Sequence, residues 1–134
     1  MTQTLEGMKL VLVDDEPGIL RALSLILSTL KCQVTALSSP QMVLEYFENG
    51  EIPDAVISDL RMPEMSGIEL LFALRFKGVD VPFILMSGHA TSQEVASAKG
   101  ANLTAFLSKP FAPTDLIREL EKACPSMNRT ANGS

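Results

Sequence analysis

Five short apolar runs punctuate this chain, and each is followed by a stretch with helical spacing. Strands that alternate with helices in this way form a parallel sheet with helices on both faces. No other feature limits the fold as strongly. The first run, Lys9–Val13, ends in four consecutive apolar residues, as in a strand covered on both sides. From Pro17 to Leu30 apolar residues fall at Leu20, Leu23, Leu27 and Leu30, with Ile19 and Ile26 beside them, and Pro17 suits a first helical turn. Gln33–Leu37 is a second strand. Ser39-Pro40 reads as an N-cap and first helical residue, opening a helix to about Asn49 that Gly50 stops. Ala55–Ser58 is a third strand that runs into Asp59, and Ser66 and Glu69 have capping-box spacing ahead of the stripe Ile68, Leu71, Leu74. Pro82–Ser87 is a fourth strand. Thr91 and Glu94 repeat the capping-box spacing for a short helix that Gly100 ends. Ala105–Ser108 is the fifth strand, and a last helix from Pro113 to about Cys124 turns Leu116, Ile117 and Leu120 inward. The predicted class is α/β: a doubly wound, five-stranded parallel sheet in three layers, with right-handed crossovers.

The 134 residues suffice for one domain, expected over residues 8–124. Residues 1–7 read as a polar tail, and residues 125–134 as a disordered tail or linker stub. The N-terminus lacks a basic start, and no apolar run approaches the roughly 20 residues of a membrane helix. Cys32 and Cys124 form no spacing motif and fit plain thiols in a reducing compartment. The expected location is the cytoplasm. Charge is unevenly spread: residues 1–60 carry nine acids and three bases, residues 61–134 seven acids and eight bases. The strongest local feature is therefore acidic, which argues against nucleic acid as the direct ligand and for a cation.

In open parallel sheets the working site lies beyond the carboxyl ends of the strands. That rule sorts the polar residues. Asp14 and Asp15 end the first strand, Asp59 the third and Ser87 the fourth, and Lys109 follows the fifth. Three carboxylates and one ammonium leave a local charge near −2. A hard divalent cation with oxygen ligands fits, Mg²⁺ first and Mn²⁺ as the alternative. Asp15 or Glu16 could instead cap the helix that follows. The set suits phosphoryl transfer to a carboxylate, which needs positioning and neutralisation of charge more than covalent help. Asp59 is the better nucleophile because it stands alone on a middle strand, which leaves the adjacent pair to hold metal.

The segments "VLVDDEPG", "VISDLRMPEMSGIEL", "FILMSGHA" and "AFLSKPF" resemble the receiver domain of two-component response regulators. The resemblance covers about Met8 to Cys124, and the ordered set of motifs carries it, not any one of them. It implies the flavodoxin-like strand order 2-1-3-4-5. It implies that Asp59 is the phosphoacceptor, and that Asp14, Asp15, Asp59 and the backbone carbonyl of Arg61 hold Mg²⁺. Ser87 then matches the switch hydroxyl, Lys109 the phosphate-pairing lysine and Phe106 the aromatic switch, with a cis peptide bond at Pro110. A signalling switch rather than an enzyme is implied, acting only in its own phosphorylation and dephosphorylation. Its phosphodonor would be a sensor histidine kinase or a phosphotransfer protein. Its target would be a downstream protein or an output domain outside this chain, read through the surface of the fourth helix, fifth strand and fifth helix.

Arg61, two after Asp59, and His89, two after Ser87, are expected to contact the phosphoryl group and set its lifetime. Met62 and Met65 fit either a soft docking surface or simple packing on the sheet edge. A haloacid-dehalogenase-like phosphatase would need a second Asp where Arg61 stands. A flavin-nucleotide binder would not place "DDEPG" against a phosphate. A phosphorylation-dependent homodimer through "TDLIRELEKAC" remains open at this level.

Overall fold

The computed structural model describes residues 5–123. Five strands and five helices alternate: β1 (Lys9–Val13), α1 (Pro17–Thr29), β2 (Gln33–Leu37), α2 (Pro40–Glu48), β3 (Ala55–Asp59), α3 (Gly67–Phe76), β4 (Phe83–Ser87), α4 (Ser92–Gly100), β5 (Ala105–Ser108) and α5 (Pro113–Ala123). The strands form one parallel sheet in the order β2-β1-β3-β4-β5.

Alternation of side chains along each strand divides the core in two. Leu10 and Leu12 of β1, Ile57 of β3 and Ile84 and Met86 of β4 pack with Leu23 and Leu27 of α1 and Leu116 and Leu120 of α5. The intervening residues Val11, Val13, Val56, Phe83 and Leu85 face Val43 of α2, Leu70, Leu71 and Leu74 of α3, and Ala98 of α4. The central strands β3 and β4 are buried throughout, whereas the edge strands β2 and β5 are partly exposed. Each central strand is hydrophobic on both faces because each face meets a helix layer.

The helix starts follow the sequence signals. Ser39 Oγ accepts from Met42 N–H, and the Ser66/Glu69 and Thr91/Glu94 capping boxes are both formed. Glu16, the cap residue of α1, makes no side-chain cap bond. Helix α4 ends at Gly100, as expected, and the left-handed residue beyond it is Asn102 (φ 62°). An asparagine side chain tolerates that conformation, so no glycine is required. Residues 5–7 do not behave as a polar tail. Leu5 is buried in the α1/α5 layer, Gly7 N–H donates to the Lys31 carbonyl, and the Cys32 thiol donates to the Leu5 carbonyl. An apolar residue three positions before Met8 closes the open end of that layer. Cys124 and residues 125–134 lie outside the described residues.

Gly67 fixes how α3 meets β3. Its N–H donates to the Leu60 carbonyl at 2.8 Å. A Cβ there would overlap the Asp59 carbonyl oxygen and stand 2.7 Å from Leu85 Cδ2. Only glycine lets the helix start this close to the strand end that carries Asp59. Gly67→Ala is expected to destabilise the fold by about 1–3 kcal/mol, the usual cost of overpacking. Gly18→Ala, inside α1 with nothing within 4 Å of the new Cβ, is the control and should be stabilising by up to about 1 kcal/mol. Urea unfolding of both variants checks this; equal midpoints would contradict it.

Candidate functional site

Strand register builds the site. Val13 pairs with Ser58, so Asp14 follows on one strand where Asp59 follows on the next. Asp59 pairs with Met86, which places Ser87 one residue further on β4. Ser87 pairs with Ser108, so Lys109 comes next on the fifth connection, and its N–H donates to the Ser87 carbonyl at 2.9 Å. Residues from four segments thus meet at one sheet edge.

Lys109 Nζ donates to Asp59 Oδ1 at 3.0 Å and lies 3.7 Å from Asp14 Oδ2. Asp14 is fully buried, Asp59 and Ser87 are nearly so, and Asp15 is exposed. Asp14 Oδ1 accepts from the Glu16 N–H at 2.9 Å, which turns the chain into α1, while buried Oδ2 accepts no hydrogen bond. Carboxylate oxygens of Asp14, Asp15 and Asp59 all lie within 4.8 Å of one another. Carboxylates that crowd in this way, two of them buried and one with an orphaned oxygen, fit a divalent cation with oxygen ligands. The Lys109–Pro110 peptide bond is cis.

Burial pushes the Asp14 carboxyl above its ordinary range. The Glu16 N–H opposes this, Asp59 adds to it, and Lys109 offsets part of it. Burial works against the Lys109 charge, but the hydrogen bond to Asp59 and the charges of Asp59, Asp14 and Glu16 outweigh it and hold the ammonium above its usual value. The pair is mutually sustaining: without the acids the lysine would not stay charged as easily, and without the lysine the acids would repel.

Ser87 Oγ accepts from the His89 N–H at 3.1 Å. Phe106 is half-buried against the layer formed by α2, α3 and α4. Met62 and Met65 pack against the same layer, which favours the packing reading for both. An open depression of about 520 Å³ runs from Asp15 and Arg61 along Met62–Met65 to Glu69.

Arg61 differs from expectation. Its guanidinium crosses from the β3–α3 loop to α4, where Nη1 meets Glu94 Oε2 at 2.7 Å and Nη2 meets Oε1 at 2.9 Å. Nη2 also donates to the His89 carbonyl at 2.6 Å. His89 is exposed, and it is its backbone that bonds to Ser87 and Arg61. Glu94 was legible in the sequence only as half of a capping box. Nothing in a separation of 33 residues announces its second partner.

The family model for the response regulator receiver domain matches residues 10–121. The chain belongs to the response regulator receiver domain family. An uncharacterized 14.6 kDa protein from the sodA1 3′ region of Leptolyngbya boryana is 32% identical over 124 residues, covering 91% of this chain and 94% of that protein. The transcriptional regulatory protein FixJ of Rhizobium meliloti (strain 1021) is 32% identical over 115 residues, which are 84% of this chain and 54% of FixJ. The receiver thus spans nearly all of one relative and about half of another. A crystal structure of FixJ-N superposes with a TM-score of 0.79 at 29% identity, covering 93% of this chain and 96% of that one. The receiver domain of the sensor histidine kinase PA1611 from Pseudomonas aeruginosa PAO1, solved with a magnesium ion coordinated in its active-site cleft, gives a TM-score of 0.79 at 25% identity over 89% of this chain and 98% of that one. Receivers are signalling domains of two-component systems and not enzymes in the ordinary sense, and membership implies a phosphoacceptor role. Among the described residues no helix of this receiver is long and apolar enough to cross a membrane.

The position of Asp14 generates a prediction. Its penalty is present in full above the folded-state pKa and vanishes below the ordinary value near 3.8, because a raised pKa means that the folded form holds the proton more tightly. Asp14→Asn keeps an acceptor for the Glu16 N–H and removes the charge. In metal-free buffer at pH 7 it should stabilise the fold by about 0.5–2 kcal/mol, the usual yield of relieving one such conflict. The gain should shrink as pH falls toward 4. Denaturant titrations at both pH values check this, and a loss of stability at pH 7 would contradict it.

Proposed function

We propose that this receiver is a Mg²⁺-dependent phosphoacceptor switch whose acceptor is Asp59. The observation that carries this reading is the charge-assisted contact from Lys109 Nζ to Asp59 Oδ1, beside a buried Asp14 oxygen with no hydrogen bond. Asp14, Asp15, Asp59 and the backbone carbonyl of Arg61 would hold the cation, Mg²⁺ or alternatively Mn²⁺. Bound there, it would offset negative charge on the acids and on the incoming phosphoryl group. The arithmetic of charge supports the need. Three carboxylates and one ammonium sum to about −2, and exchanging the Asp59 charge for a phosphoryl dianion takes the site to about −3. A divalent cation returns it to about −1.

In the transfer, an Asp59 carboxylate oxygen attacks phosphorus in line, the bond from phosphorus to the donor imidazole nitrogen breaks, and the donor keeps the electron pair. The donor histidine belongs to a sensor histidine kinase or a phosphotransfer protein, because His89 is the only histidine of the chain. Lys109 is already aligned to pair with a phosphoryl oxygen. Ser87 Oγ, which accepts from the His89 N–H, has its own O–H with which to donate to another. A space then opens beside β5 for Phe106, and the surface of α4, β5 and α5 changes. A phenylalanine has no hydroxyl, so the signal at that position travels by packing alone. His89 lies exposed beside Ser87, where it can meet a phosphoryl group and influence its lifetime. The target is a downstream protein or an output domain outside this chain, and the setting is the cytoplasm.

Intact mass after incubation with acetyl phosphate and Mg²⁺ tests the reading. The parent should gain about 80 Da, one phosphoryl group, and Asp59→Asn or an excess of EDTA should each abolish the gain. An adduct that survives in Asp59→Asn would overturn the assignment of the acceptor. One that survives EDTA would overturn the role of the metal.

A further inference from the structure

Helix α4 is weakly held by apolar contact: of its nine residues only Ala98 is buried. Polar groups from two neighbouring segments fasten it instead. At its C-terminal end Arg75 of α3 donates to the carbonyls of Ala101 and Asn102, each at 3.0 Å. At its N-terminal end Arg61 forks onto both oxygens of Glu94 and onto the His89 carbonyl. Glu94 serves twice, since its Oε1 also accepts from the Thr91 N–H at 2.9 Å to close the capping box. The Arg61 fork therefore ties the loop that follows Asp59 to the first turn of α4.

Arg61 stands two residues after Asp59. A phosphoryl group on Asp59 carries about two negative charges and three acceptor oxygens, and a guanidinium recognises such a group as readily as it does a carboxylate. Glu94 offers one charge and two oxygens. We propose that Glu94 is a positioning residue that competes with the phosphoryl group for Arg61, so that phosphorylation draws the guanidinium off α4 and the Glu94 carboxylate in turn opposes phosphorylation. This rests on the reading of Asp59 as phosphoacceptor. Coupling of this kind is reciprocal: the factor by which Glu94 weakens the phosphoryl site is the factor by which the phosphoryl group weakens the hold on α4. The sequence expectation that Arg61 touches the phosphoryl group then describes the phosphorylated state, and its contact with Glu94 the resting one.

The test uses beryllofluoride with Mg²⁺ as the phosphoryl probe, followed by NMR titration of the full chain. Glu94→Gln suits it because glutamine also serves in a capping box, so the helix start is kept while the charge is removed. Arg61→Ala keeps the backbone carbonyl. Glu94→Gln should bind the probe about two- to five-fold more tightly than the parent, the range set by one exposed ion pair. In the Arg61→Ala background the same substitution should change nothing. Equal affinity of Glu94→Gln and the parent would overturn the proposal. So would an equal gain in the Arg61→Ala background, since the glutamate would then act through space and not through the arginine. A second reading needs the parent and Arg61→Ala only. Amide exchange in the first turn of α4 should quicken a few-fold when the parent binds the probe and should already be fast in ligand-free Arg61→Ala; no change in the parent would count against the competition. A parent that takes up no beryllofluoride would remove the phosphoacceptor reading itself, whereas binding without the Glu94 effect removes this inference alone.

Discussion

The contact between Lys109 and Asp59 is what allows the rest of the edge to exist. A parallel sheet with this register has no choice but to bring the ends of β1 and β3 together, where Asp14 follows one strand and Asp59 ends the other. Two buried carboxylates side by side repel, and burial strengthens that repulsion. One ammonium at 3.0 Å from Asp59 and 3.7 Å from Asp14 answers part of it. The remainder is a standing demand for positive charge, and that demand gives the site its chemistry. The same geometry that costs stability is the one that the proposed cation and phosphoryl group would use.

The sheet and its helices divide the labour. β1, β3 and β4 are buried on both faces, so Asp14, Asp59 and Ser87 at their ends are firmly placed. Gly67 lets α3 start directly against the carbonyl of Asp59, and no larger residue could occupy that position without moving Asp59. The other side of the molecule is built differently. Strand β5 is an edge strand with half-buried side chains, and α4 depends on arginine forks more than on burial. Apolar packing changes little with charge, whereas an ion pair responds at once. On the proposed reading, a signal that starts as charge on Asp59 would find its natural receivers in the elements held by charge.

Much of this was legible in the sequence because it depends on local rules. The apolar runs and the helical spacing after each gave five strands between two helix layers. Ser39, Ser66 and Thr91 announced three helix starts through capping chemistry that acts within one turn. The strand-end rule gathered Asp14, Asp59, Ser87 and Lys109 without knowledge of any distance. What escaped depends on long-range packing. Leu5 looks like part of a polar tail until the open end of the α1/α5 layer is seen. Gly100 ends α4 as its position suggests, but the left-handed turn falls two residues later at Asn102, where Arg75 holds the carbonyl. The Arg61 side chain was expected at the phosphoryl position beside Asp59, but Glu94, distant in sequence, holds it.

The most direct test of the central claim is to locate the phosphoryl group chemically. An acyl phosphate is reduced by borohydride, whereas a phosphoserine is not, so reduction followed by peptide mapping marks the acceptor. After phosphorylation with Mg²⁺ the account predicts a mark on Asp59 and on no other residue. A mark on Asp14 or Asp15, or phosphate that resists borohydride at Ser87, would mean that the sheet edge is built as described but its chemistry has been assigned to the wrong residue.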